Sequence, residues 1–440
     1  MLIETPLTAQ LEAQRDDRLR VLIVGAGIAG ITLAQLLRRD GLHPVLIDRM
    51  TGHDHPGYML ALMPTVDQAF VDLGVQEKYR AASTPMTRYS FRSHRGKVLR
   101  TDSMSELLGV YGDYNGISRG ALIEVLTDGG CPVTLGTTVD AVAGGVARLT
   151  DRSGRPAGEA AFDLVVGADG IRSRMRDVLG AGALDVVDTG WSGWVAWAEE
   201  IGSPDLGEEL WGDGFFLGVY PVKDRLGVFL GGPDAELEAG PIAFAASVRR
   251  RIQDMAPRLD AALAAVEADP APYLWRLEDA GVARWVLPQD AVQSVLLGDA
   301  AAGFLPTAGI GAGMAIESAW LLGRMLAGAE RDALLARLSA WETVERQRVE
   351  SAQANSRMLA RLMFRRGRLT AWLRETTMRM LSVRAVLGPI VKLVAARPDP
   401  DAALASAPRN GTPADGAAAR RSEVPSSCAD SPRAEEPRSA

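Results

Sequence analysis

The sequence predicts an α/β protein: a doubly wound, parallel-sheet domain interrupted by an antiparallel β-sheet and followed by a helical extension. Three observations predict it. Residues 20–48 form a complete strand–helix–strand pattern. Two further buried-strand patterns, near 163–167 and 292–297, each lead into a glycine-rich turn. Between them, residues 186–231 mix aromatics and glycines with alternating apolar residues, as antiparallel strands do, and from 331 to about 396 the pattern is helical.

The elements follow in order. Val21-Leu22-Ile23-Val24 is apolar throughout, as in a strand covered on both faces. Gly25-Ala26-Gly27-Ile28-Ala29-Gly30 opens a helix that runs to about Arg39 and ends at Gly41. Val45-Leu46-Ile47 is a second buried strand, closed by Asp48. Helical periodicity marks 65–82 and 119–128, and β-like pieces fall near 86–92, 97–100, 132–149 and 160–166. Trp191, Trp194, Trp197, Phe215, Phe216, Tyr220 and Phe229 belong to the antiparallel stretch. Helices are expected at 241–254, 256–267 and about 310–327. Beyond Pro398 the composition turns to Ala, Pro, Ser and Arg without periodicity, so 401–440 reads as disordered.

Composition narrows the function classes. A formal net charge of -7 argues against a nucleic-acid partner. Two cysteines, Cys131 and Cys428, build no disulfide framework. The first twenty residues carry four acids and no signal-like apolar core, and no run of about 18 uncharged apolar residues occurs. The expectation is a soluble, reduced, cytoplasmic protein. Its charge is uneven: residues 346–397 hold twelve basic residues against Glu350 and Glu375, a net +10, so the rest of the chain carries -17. That segment reads either as a basic amphipathic surface for an anionic membrane or acidic partner, or as a helical cap whose apolar face packs on the body. The cap is the favoured reading.

Three motifs carry chemistry. In the first, Gly25 permits the tight turn, Gly27 lets a pyrophosphate approach the backbone, and Gly30 lets the helix pack on the sheet. Unpaired N–H groups at the helix start, around Ile28 and Ala29, favour phosphate. Asp48, 23 residues after Gly25, can accept the hydroxyls of an adenosine ribose, and Arg49 follows it. The second motif is Asp169-Gly170 with Ser173 and Arg176, a carboxylate at a strand end. Alone it is no more than an Asp-Gly turn. The third runs from Gly298-Asp299 through Phe304 and Pro306 to Gly309, Gly311 and Gly313. Asp299 can bind a polyol hydroxyl, and the bared helix start would stabilise an anionic reduced flavin.

These motifs, in this order, resemble the FAD-binding pattern of class A flavoprotein aromatic hydroxylases, the para-hydroxybenzoate hydroxylase fold. The resemblance covers about residues 20–345. It implies a Rossmann-like FAD-binding domain over 20–85, 101–185 and 280–345, and a substrate domain over 86–100 and 186–279. The basic helical extension is 346–397 and the disordered tail 401–440. It also implies Arg119 near the FAD pyrophosphate and ribitol, contact of the second motif with FAD and NAD(P)H, and Asp299 on the ribitol. The implied activity is single-component hydroxylation of an aromatic or electron-rich molecule with FAD, NADPH or NADH, and O₂. The chain departs from the pattern at Ala302, Gly313 and Ser318, where the family often has His, Asn and Asp. Gly57–Met63 is similar to a segment of the tetracycline-modifying branch, which points to a bulky natural product or xenobiotic.

Trp197, Phe216, Tyr220 and Phe304 are the candidate substrate contacts, and no catalytic base is named. His53-Asp54-His55 lacks a third ligand, so no metal is expected. A monomer or homodimer fits equally. The alternatives left open are a flavin-dependent dehydrogenase or double-bond reductase on the same fold, and a flavoprotein that binds a hydrophobic ligand without turnover.

Overall fold

The computed structural model describes residues 1–52, 57–289, 291–380 and 387–406. The His53–His55 cluster lies outside the described residues. A seven-stranded sheet forms the first layer, in the order Leu2–Glu4, Cys131–Leu135, Val45–Asp48, Val21–Val24, Leu164–Gly167, Gln293–Leu296 and Val286–Pro288. All neighbours are parallel except the last pair. The central runs are apolar and fully buried: helix Ile28–Arg39 packs on them, and helix Gly311–Leu326 packs in turn on that helix.

A second seven-stranded sheet runs Tyr273–Val282, Leu184–Glu199, Arg225–Pro233, Phe216–Val222, Leu206–Trp211, Arg88–Arg92 and Val98–Ser103. It is antiparallel except at one seam, where Leu206–Trp211 lies parallel to Arg88–Arg92. One face packs on helices Pro241–Arg251 and Pro257–Ala268 through Trp194, Leu217, Val219 and Leu230. The other face looks toward the parallel sheet and bounds the site described below.

The extension is not a separate piece. Helix Leu334–Met363 is continuous, so the expected break at 346 falls inside it. Gln353 donates to the Gly303 carbonyl at 2.7 Å, and Thr307 donates to the Ser356 carbonyl at 2.7 Å, which ties this helix to the third motif. Three of the extension's arginines act as clamps, while Arg361, Arg365, Arg366 and Arg379 are exposed. Arg348 holds Glu317 on the neighbouring helix, Arg357 bridges Asp279 and Asp185, and Arg374 bonds the carbonyls of Met363, Trp211 and Gly212. The cap reading accounts for this part of the charge asymmetry. An outer face remains, where Leu369, Trp372, Leu373 and Met380 are exposed. The reading of 401–440 as disordered fails at its start: Pro400–Ser406 is helical, with Asp399 accepting from the N–H groups of Asp401 and Ala402. Residues 407–440 lie outside the described residues.

Candidate active site

At the C-terminal edge of the parallel sheet, three turns converge. A Cβ on Gly25, whose φ is +113°, would stand 2.3 Å from the Ala168 carbonyl, and one on Gly30 would stand 1.9 Å from the Gly25 carbonyl. These two glycines close the turn and seat the helix. A Cβ on Gly27 would meet nothing within 4 Å. Gly27 therefore leaves open space, at the N-terminus of the helix Ile28–Arg39 and on the wall of the main cavity. Asp48 is pinned beside it: the Ala26 N–H donates to Oδ2 at 2.7 Å and the Met50 N–H to Oδ1 at 2.8 Å.

In the second turn, Asp169 Oδ2 accepts from the N–H groups of Arg174 and Met175, at 2.7 and 3.1 Å. Its Oδ1 is buried without a donor among the described residues. Arg176 is buried and directs its guanidinium at three carbonyls, those of Ala300, Ile171 and Asp299, at 2.8, 2.7 and 2.7 Å. It thereby fastens the second turn to the third. In the third turn Asp299 is pushed up to about 6 by burial, and the nearby Arg176 charge opposes the rise.

A cavity of about 390 Å³ runs from these turns to the second sheet. Gly27, Ile28, Ala29, Arg119, Gly170 and Asp299 line one part of it. Phe304, Leu305, Pro306, Gly309 and Gly311 form a wall, and Trp211, Phe216, Tyr220 and Phe229 lie on the second sheet. Leu359, Met363, Phe364, Leu387 and Ile390 close it from the extension. Phe364 stacks on Trp191 with ring centroids 4.4 Å apart. The arrangement can hold an extended nucleotide along the turns and an apolar ring system beyond it, out of water.

A family profile described as FAD binding domain matches residues 18–356. The chain is 30% identical over 383 residues to aurachin C monooxygenase/isomerase of Stigmatella aurantiaca, covering 83% of this chain and 94% of that protein. It is 29% identical over 376 residues to a salicylate hydroxylase of Pseudomonas putida, covering 77% and 84%. The crystal structure of Klebsiella pneumoniae HpxO complexed with FAD and uric acid superposes with a TM-score of 0.75 at 20% identity, covering 88% and 99%. The chain belongs to the FAD-binding domain family of flavoprotein monooxygenases.

The residues of this monooxygenase fit FAD on structural grounds: Gly27 leaves a cradle that a Cβ would fill, and Asp169 Oδ1 is a buried acceptor without a donor. Gly27, Ile28, Ala29, Arg119, Gly170, Asp299, Pro306, Gly309 and Gly311 all come together on the cavity. Gly25 and Gly30 act behind the wall, through packing. Asp48 and Asp169 lie at the strand ends beside it, and Arg49 is exposed. Gly313 faces Thr65 Oγ1, 3.1 Å from where its Cβ would be, and so serves the approach of the helix to 64–66 rather than the cavity. Arg176, which the resemblance placed among nucleotide contacts, spends its donors internally.

Of the candidate substrate contacts, Phe216, Tyr220 and Phe304 line the cavity. Trp197 does not. It follows Val195 on the same face of the strand, but its ring is covered by Arg225, 3.6 Å from the centroid. Sequence reasoning missed Glu209, Tyr89 and Tyr114, which also line the cavity. The adjacent acids Glu208-Glu209 followed by Leu210-Trp211 were the available signal, but which of the two faces the cavity requires the strand register.

Proposed function

We propose that this monooxygenase oxygenates an aromatic or polycyclic small molecule with a largely apolar outline, using NADH or NADPH and O₂. One observation carries the reading: the cavity is continuous from the three nucleotide turns to the aromatic face of the second sheet, under a helical lid. Bound FAD would supply the activation of O₂ with electrons from NAD(P)H. The chain's own residues orient, exclude water and hold charge. The N-terminus of helix Gly311–Leu326 presents unpaired N–H groups and positive dipole to an anion on the cavity wall. Phe304 and Pro306 would border the reacting ring. Phe364, packed on Trp191, and Ile390 keep solvent from it.

Two relatives support an apolar, ring-bearing substrate. Besides the aurachin C enzyme, the 2-heptyl-3-hydroxy-4(1H)-quinolone synthase of Pseudomonas aeruginosa is 28% identical, with 82% of this chain covered. The test is a ligand screen read by NAD(P)H oxidation, with mass spectrometry under ¹⁸O₂. A product that gains one labelled oxygen supports the reading. Substrate-dependent NAD(P)H oxidation that never labels a product, for any ligand accelerating it, overturns it.

A further inference from the structure

Glu209 has no part in the reading above, and its surroundings are unusual for a buried carboxylate. Successive side chains of the strand Leu206–Trp211 face opposite ways. Glu208 turns from the cavity and meets two cations, Arg92 at 2.8 Å and Arg258 at 3.1 Å. Glu209 turns into the cavity and meets three neutral donors. The Tyr89 and Tyr220 hydroxyls donate to Oε1 at 2.5 and 2.8 Å, and the Trp211 indole N–H donates to Oε2 at 2.8 Å. The neighbouring strand makes room for this group: a Cβ on Gly218, which pairs with Glu209, would stand 2.5 Å from the Tyr220 ring.

The acceptor count leaves one place open. Oε1 uses both lone pairs, whereas Oε2 uses one. Burial pushes the Glu209 carboxyl up, and the three donors oppose the rise. Among the described residues no cation pairs with it. Asp102, the other nearby acid on the cavity, has both oxygens held by Arg100. Arg374, 5.9 Å from the centroid of the Trp211 ring, directs its terminal nitrogens at backbone carbonyls and makes no ion pair with Glu209, and Tyr114 adds only another hydroxyl. Among the described residues that line the cavity, Arg119 is the one cation, and it lies beside Tyr58 at the nucleotide turns.

We infer that Glu209, set by Tyr89, Tyr220 and Trp211, is the anchor for a ring N–H or O–H of the substrate. It restricts the substrate to uncharged aromatic molecules that carry such a donor and an apolar substituent, and it rejects carboxylates. The inference rests on the cavity being the substrate site. A ring carboxylate would meet an unpaired negative charge in low dielectric. A ring N–H or O–H would instead fill the open lone pair with a charge-assisted bond. That bond also moves electron density into the ring, the direction an electrophilic oxygen requires. The substituent would lie against Leu359, Met363 and Leu387 of the lid.

The experiment measures binding to the FAD-loaded protein, without NAD(P)H, by flavin absorbance and indole fluorescence. The probes are 2-pentylquinolin-4(1H)-one, its N-methyl derivative and salicylate. Wild type should prefer the N–H probe to its N-methyl form by about 10- to 100-fold, the worth of one charge-assisted hydrogen bond. Glu209→Gln should shrink that preference severalfold and improve salicylate binding, and Glu209→Asp should restore part of the preference. Equal wild-type affinity for the N–H and N-methyl probes overturns the inference with no variant needed, as does salicylate binding as tightly as the quinolone. An unchanged preference in a folded, FAD-replete Glu209→Gln overturns it too. Oxygen insertion is scored separately. A preference without oxygenated product leaves the anchor standing and counts against the proposed reaction, whereas oxygenation without a preference removes the anchor alone.

Discussion

Replacing Arg176 with methionine tests whether the second and third turns form one unit. The guanidinium makes three short bonds to carbonyls, two of them on Asp299 and Ala300. Charge-assisted bonds of this kind are each worth about 1.5–3 kcal/mol. Relief of the buried guanidinium's desolvation offsets part of the loss, leaving a net cost of about 3–5 kcal/mol. The same change removes the cation that opposes the upward push on Asp299, now at about 6. The sign follows. The ionised Asp299 carboxylate would be the form that binds FAD hydroxyls, so FAD affinity of the wild type should fall as pH drops through about 6, and in Arg176→Met that fall should begin at higher pH. Arg176→Lys keeps the charge but not the three-way fork. It should lose stability while leaving the pH dependence nearly in place. Urea unfolding of apoprotein gives the first quantity, and flavin fluorescence titration between pH 5 and 8 gives the second. An Arg176→Met protein with unchanged unfolding midpoint and an unchanged pH profile would refute the argument.

Three further outcomes are expected. Gly27→Ala should leave the apoprotein fold intact, because its Cβ meets nothing, yet weaken FAD at least about tenfold by occupying the phosphate approach, whereas Gly30→Ala should damage the fold itself; thermal melts with and without FAD separate the two. Glu317 and Glu345 are buried together and pushed up to about 7 and about 8, with Arg348 and Arg397 opposing the rise at Glu317 and Arg348 at Glu345. Since the unfolded carboxyls ionise near 4.5, their contribution to stability is full below that pH and is lost as pH rises toward 8, and Glu345→Gln should flatten the measured stability–pH curve over that window. Phe364→Ala, which removes the ring stacked on Trp191 at the lid, should admit water and raise the share of NAD(P)H oxidation that ends in hydrogen peroxide; a peroxide yield equal to wild type would show that the lid does not seal the site.

The convergence of the three glycine-rich turns was legible because its constraints are local. Gly25, Gly27 and Gly30 sit within one turn, and a glycine's conformational freedom or missing Cβ is a property of that turn. Buried parallel strands likewise announce themselves as apolar runs. The substrate half was not legible. Phe216 and Tyr220 reach the cavity while Trp197, equally aromatic, ends under Arg225, a difference of strand position.

By itself, then, the sequence determined the α/β class, the order of the three turns and an uneven charge, all of which depend on residues close along the chain. Tertiary structure alone decided which arginines of the extension act as clamps, and that Leu359 and Met363 of helix Leu334–Met363 help close a cavity whose first lining residues, Gly27–Ala29, lie at the other end of the chain. It also decided that Glu208 meets two arginines while its neighbour Glu209 meets two tyrosines and an indole. Adjacent residues of a strand face opposite sides of the sheet, and which side becomes the cavity is set only when the two sheets and the lid pack together.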